Sequence, residues 1–259
     1  MPLVNTVVRG PLALIELARP ESGNALSGEL VTELGPALAA ACAGDARAVV
    51  LTGAGRHFCT GADLAELAAT ADAPEGDRVA DAARLADLYS KLLRCPLVTV
   101  AGVHGAAFGG GAGLAAACDF VVAGEDARFQ FSEARLGFVP ALISVFLPRR
   151  IPPARLASLF LDPDSLGPEA AREVGLVDEI ALDPRCAAES LATRVSRKVA
   201  PSAVAQTKRL LLDLALPDLD RRFAEAAHVN ARQRPHPECR RGLSVLLATK
   251  AFPDWMDRS

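Results

Sequence analysis

The chain has 259 residues, enough for one large domain or two small ones, and is long enough to bury about three quarters of its unfolded surface. Hydrophobic residues at 51% and charged residues at 23%, with a mean hydropathy of +0.23, exclude a disordered chain. A net charge of -3, with basic residues only in pairs such as Arg149-Arg150, Arg221-Arg222 and Arg240-Arg241, argues against a nucleic-acid footprint.

In chain order, Val4 to Arg9 and Ala13 to Leu17 are β-rich runs split by Gly10-Pro11, which predicts a hairpin. Ser27 is a helix N-cap, followed by Leu30, Leu34, Leu38 and Ala41 on one face. Pro36 lies inside this pattern and is expected to kink or shorten the helix. Ala48 to Leu51 is apolar throughout, the mark of a strand buried on both faces. Ala68 to Gly76 is small, polar and bears Pro and Gly, which predicts a mobile loop.

A helix is expected from about residue 78 to 94, then strands at Pro96 to Val103, Phe120 to Ala123 and Arg128 to Phe131. Alternating strands and helices define an α/β core with crossover connections, whose strand ends are the natural place for chemistry. After Ile151 the pattern turns helical, with Pro168 to Glu173, Ala187 to Val199, Ser202 to Leu214 and Leu219 to Lys250, and a strand signal only at Leu176 to Ile180. The division expected is a core over residues 1–190 and a helical C-terminal region over 191–259.

The six cysteines have no Cys-x-x-Cys spacing, which fits reduced thiols in a cytoplasmic protein. The N-terminus has no basic leader with a cleavage site, and no window approaches about 18 apolar residues, so neither secretion nor a membrane partner is expected. No His-x-x-x-His pair points to a metal.

Three constellations carry chemistry. Gly55 to Leu64, ending FCTGADL, follows a buried strand and opens a helix, so its N–H groups can meet a negative oxygen. Gly105 to Leu114 is glycine-rich, again after a buried strand, and removes side chains where backbone approaches a ligand. It matches neither a P-loop nor the dinucleotide fingerprint. In FSEARLGFVP, Glu133 is a lone carboxylate among apolar residues, a setting that raises its pKa and suits proton transfer near neutrality.

The order and spacing of NAL, FCTGADL, HGAAFGGGAGLAAACD, FSEARLGFVP and AAREVGLVDEI resemble the crotonase superfamily, the enoyl-CoA hydratase/isomerase group, over nearly the whole chain. The FSEARLGFVP region is most similar to bacterial methylglutaconyl-CoA hydratases and to dehydratases of branched acyl groups. The resemblance implies a spiral of ββα units with a helical C-terminal trimerisation region, self-association as a trimer or a dimer of trimers, and an acyl-CoA thioester substrate. CoA belongs to that substrate, so no separate cofactor is implied.

By resemblance, the backbone N–H groups of Ala62 and Gly110 form an oxyanion hole and Glu133 is the acid/base. Ala25, Thr60, Gly61, Asp63, Leu64, Gly109, Gly113 and Lys250 are implied, with Ala62 and Gly110, as substrate-binding residues. A second family glutamate falls on Gly113, which has no side chain, so the two-carboxylate mechanism does not carry over. Gly113 is therefore expected to give room for a branched or carboxylated acyl group, and Glu66 is an outside candidate for a second acid. Hydratase or dehydratase, double-bond isomerase, and acyl-CoA binder with little turnover all remain open from these residues.

Overall fold

A computed structural model describes residues 2–256. Strands β1 (Val4–Arg9) and β2 (Leu12–Leu17) form the expected hairpin, with Val4 opposite Leu17 and Arg9 opposite Leu12. Helix α1 (Gly28–Ala43) starts where Ser27 Oγ accepts from the Leu30 N–H at 3.2 Å. It runs through Pro36 rather than ending there, because Leu30, Leu34, Leu38 and Ala41 are all buried against the core and outweigh the one backbone bond proline removes.

The next elements repeat one unit. Strand β3 (Ala48–Gly53) leads to a bridge at Cys59 and then helices α2 (Leu64–Ala69) and α3 (Glu75–Leu93). Strand β4 (Val98–Val103) leads to β5 (Ala106–Phe108) and helix α4 (Gly110–Ala117). Strand β6 (Phe120–Gly124) leads to β7 (Arg128–Gln130), a 3-10 turn at Glu133–Leu136 and helix α5 (Ala141–Ser144). Each turn thus places one strand in a large sheet and one strand, or in the first turn the bridge at Cys59, in a small layer, and then closes with helix: a ββα spiral.

Helices α6 (Pro153–Leu161) and α7 (Pro168–Glu173) precede β8 (Glu179–Ala181), which completes the large sheet in the order β1-β2-β3-β4-β6-β8. Apart from the β1 hairpin its pairs are parallel, and β5 pairs in parallel with β7 in the small layer. Because side chains alternate across a strand, Ile15, Val49, Leu51 and Val121 face the main core, while Leu12, Val50, Val100 and Val122 face α8 (Pro184–Lys198) through Ala188, Leu191 and Ala192.

The C-terminal helices are α9 (Pro201–Ala215), α10 (Leu219–Gln233) and α11 (Pro237–Thr249). The single helix expected from Leu219 to Lys250 is broken around Pro235 and Pro237, since proline at 237 can begin a helix but not continue one. Residue 190 lies inside α8, and Leu212, Phe223, Ala226 and Ala227 of the helices that follow belong to the main core.

The mobile loop expected at Ala68 to Gly76 is largely structured. Helix α2 extends to Ala69, α3 begins at Glu75, and Arg78 donates to the carbonyls of Ala71, Ala73 and, from α10, Ala231.

Candidate active site

Asn24 sets the first wall of the site. It is buried in the left-handed region at φ 56, and its amide donates to the carbonyls of Ala54 at 2.9 Å and His57 at 2.7 Å. That fixes the NAL segment against the loop after β3, where the Leu26 N–H reaches the Gly61 carbonyl at 2.7 Å. Cys59 meanwhile pairs with β5, accepting from the Phe108 N–H and donating to the Ala106 carbonyl, both at 3.1 Å. The two glycine-bearing loops are thereby clamped edge to edge.

Gly61 sits at φ +97, and a β-carbon there would lie 2.7 Å from the Phe108 carbonyl oxygen and 3.6 Å from the Gly110 nitrogen. Glycine is the residue that tolerates both the dihedral and the approach. The N–H groups of Ala62 and Gly110 consequently stand side by side on the cleft, and among the described residues neither has an acceptor. The Gly110 N–H is also a first-turn donor of α4, at the positive end of the helix dipole.

The cleft, of about 840 Å³, contains both of these groups and Glu133. Glu133 opens the 3-10 turn after β7, and its Oε2 is buried without a protein hydrogen-bond partner. Burial pushes its pKa up to about 7, opposed only by a bond from its own N–H. A carboxyl left unpaired in this way can take a proton and release it near neutral pH.

Gly113 is placed differently from the expectation. A β-carbon there would run into Cγ2 of Ile143 and come 3.5 Å from the Tyr89 hydroxyl. The space released by the missing side chain is filled by Ile143 of α5, and Ile143 rather than Gly113 lines the cleft. Tyr89 is fully buried on α3, donates to the Gly110 carbonyl at 2.9 Å and packs on Phe146 with centroids 5.1 Å apart.

Ala25, Thr60, Leu64 and Gly109 line the cleft, and so does Lys250, at the C-terminal end of α11. Asp63 also lines it, but its carboxylate is engaged as the N-cap of α2, accepting from Ala65 and Glu66 N–H groups at 3.1 Å and from Arg19 at 2.7 Å. Glu66 accepts from the Gly28 N–H at 2.9 Å and lines an adjoining cavity, with Gly28, Ala62 and Asp63, rather than this cleft. Arg135 stacks on Phe252, 3.9 Å from its centroid. Cys59 is a packed thiol whose pKa burial pushes up to about 12, and His104 is tied to the Gly55 carbonyl at 2.9 Å.

Sequence reasoning missed Tyr89 and Ile143, and also Leu246, Leu247 and Phe252, as residues that line the cleft. Tyr89 is the only tyrosine of the chain and falls on an apolar helix face, where it reads as core. The α11 residues reach the cleft only because the chain turns at Pro235 and Pro237.

The enoyl-CoA hydratase/isomerase family model matches residues 8–257, and the chain belongs to that family of enzymes. A Thermus thermophilus protein, named provisionally as an enoyl-CoA hydratase, is 38% identical over 244 residues, 93% of this chain and 96% of its own length. An enoyl-CoA hydratase structure from Mycobacterium avium superposes with a TM-score of 0.86 at 32% identity, covering 98% of both chains. One from Bacillus halodurans gives 0.88 at 27%, covering 94% of this chain and 100% of its own. The crotonase fold and family expected from the sequence are what these relatives share.

Proposed function

We propose that the protein is an enoyl-CoA hydratase, acting in either direction, that works with one carboxylate and a backbone oxyanion hole. The observation that carries the reading is the convergence of two free N–H groups, on Ala62 and Gly110, with the buried and unpartnered carboxyl of Glu133 in one cleft. The names of the relatives point to the same activity.

The thioester oxygen accepts from Ala62 and Gly110. As water adds to the β carbon, ionised Glu133 takes the water proton, the π electrons move toward the carbonyl, and negative charge collects between the two donors. Loss of one such donor costs about 2.7 to 4 kcal/mol in comparable sites. The same carboxyl then returns the proton to the α carbon, so Glu133 ends in its starting state. Dehydration is the reverse path and also starts from the ionised form.

Leu85, Leu142, Ile143, Leu246 and Phe252 supply an apolar wall for the acyl chain, and Lys250 a cation for the CoA phosphates. No cofactor beyond the CoA of the substrate enters this scheme. The reading extends to self-association as a trimer or dimer of trimers, supported by Leu210, Leu211 and Leu214 standing 59 to 72% exposed on α9. It also includes a reducing, cytoplasmic setting, supported by six cysteines spread through the sequence without Cys-x-x-Cys spacing.

Incubation with crotonyl-CoA in heavy-oxygen water tests the reaction type. Label on the β carbon of the product is the expected result. Migration of a double bond without uptake of oxygen contradicts hydration.

A further inference from the structure

Cys42 and Cys95 lie away from the cleft with their sulfurs 3.3 Å apart, although 53 positions separate them in sequence. Cys42 is in the last turn of α1 and is half-buried, whereas Cys95 is buried just after the end of α3. Lys208 of α9 reaches into the same corner, donating to the Leu97 carbonyl and to Asp119, each at 2.6 Å. Either thiol can donate in the bond between them; with Cys95 as the donor, this bond and the Lys208 charge lower the Cys42 pKa against the opposing effect of burial. Cys95 is pushed up, which keeps it protonated. The exposed thiol, Cys186, is pushed up as well, by its hydrogen bond to Asp183 and that residue's charge.

We infer that Cys42 and Cys95 form a peroxide-reactive dithiol site, with Cys42 as the attacking thiolate and Cys95 as the resolving thiol. In the first step the Cys42 sulfur attacks hydrogen peroxide, the O–O bond breaks, and hydroxide leaves to become water while Cys42 becomes a sulfenic acid. In the second step the Cys95 sulfur attacks Cys42, the S–S bond forms as the S–O bond breaks, and the thiol proton leaves with the departing oxygen as a second water. Two thiols lose two electrons and the peroxide gains them. The sulfurs need to close by only roughly 1.3 Å to reach bonding distance. The product bond would tie the end of α1 to the connection between α3 and β4.

The test is mass spectrometry of the intact, folded protein after brief exposure to hydrogen peroxide and alkylation. The expected result is a Cys42–Cys95 linked peptide, two hydrogens lighter and reversed by dithiothreitol, with these thiols lost at least about tenfold faster than Cys186. In Cys95→Ser the reaction should stop at a Cys42 sulfenic acid, captured by dimedone. Absence of the linked peptide, or oxidation of Cys186 as fast as Cys42, overturns the inference.

Discussion

A β-carbon on Gly109 would stand 3.0 Å from Oε1 of Glu133 and 3.5 Å from its Cδ. The glycine and the carboxyl therefore share one small space at the mouth of α4. Gly109 also holds φ 47 and ψ -117, a conformation that a side chain disfavours. In Gly109→Ala the carboxyl must shift and the Gly110 N–H must turn with the strained backbone. Displacements of about 1 Å can cost about a hundredfold in rate. Steady-state kinetics on crotonyl-CoA should show a loss of that order in kcat with the far-ultraviolet dichroism retained, whereas wild-type kcat in the variant contradicts the shared-space geometry.

The Tyr89 hydroxyl holds the Gly110 carbonyl and thereby the peptide unit that begins α4. Tyr89→Phe removes one hydrogen bond to that part-buried carbonyl, a change worth about 0.5 to 1.5 kcal/mol. A lower unfolding midpoint is expected, with kcat reduced severalfold and KM altered less, because the loss acts on the oxyanion donor more than on acyl contacts. An unchanged midpoint and unchanged kcat argue against a role for the bond.

Gly113→Glu does not regain a second acid, since Ile143 already fills the volume the new side chain needs. Overpacking of this kind costs about 1 to 3 kcal/mol. Denaturant unfolding should show Gly113→Glu destabilised and the double variant with Ile143→Ala partly recovered. If Gly113→Glu alone is as stable as wild type, the space is not closed.

Asp63 adjoins the Ala62 donor and ties it to α2 and Arg19. Burial works to raise its pKa, but hydrogen bonds from Arg19 and from the Glu66 and Ala65 N–H groups, with the Arg19 charge, hold it below the usual carboxylate value. A carboxyl whose folded pKa is lowered stabilises the fold above its unfolded pKa of about 3.9, and this stabilisation is lost as pH falls through the lowered folded value. Asp63→Ala should therefore cost about 1 kcal/mol at pH 7, as helix caps do. The gap from wild type should shrink as thermal melts are taken down through that acidic range. A gap that persists undiminished at the acid end contradicts the charge-based account.

Much of the spiral was legible because its buried strands, such as Ala48 to Leu51, and its turn residues are local signals. The two glycine-bearing loops and Glu133, which the structure brings to one cleft, were marked out by the resemblance. What was not legible depends on contacts between distant segments. Gly113 read as open room because a sequence shows a missing side chain but not the Ile143 that moves into its place. Pro36 read as a helix breaker because local propensity does not include the burial of Leu30, Leu34 and Leu38. The loop at Ala68 to Gly76 read as mobile because its anchor, Arg78, bonds across to Ala231 on α10.

In the proposed reaction Glu133 carries the proton in both halves, and the test is the pH profile of crotonyl-CoA hydration by wild type and Glu133→Gln. Wild-type kcat/KM should rise with pH through about 7, where the buried carboxyl ionises. In Glu133→Gln that rise should vanish and kcat should fall by about 10² to 10⁴, while acyl-CoA binding, measured by calorimetry, stays within a few fold. A Gln variant that keeps wild-type turnover, or that keeps the rise near pH 7, contradicts the assignment.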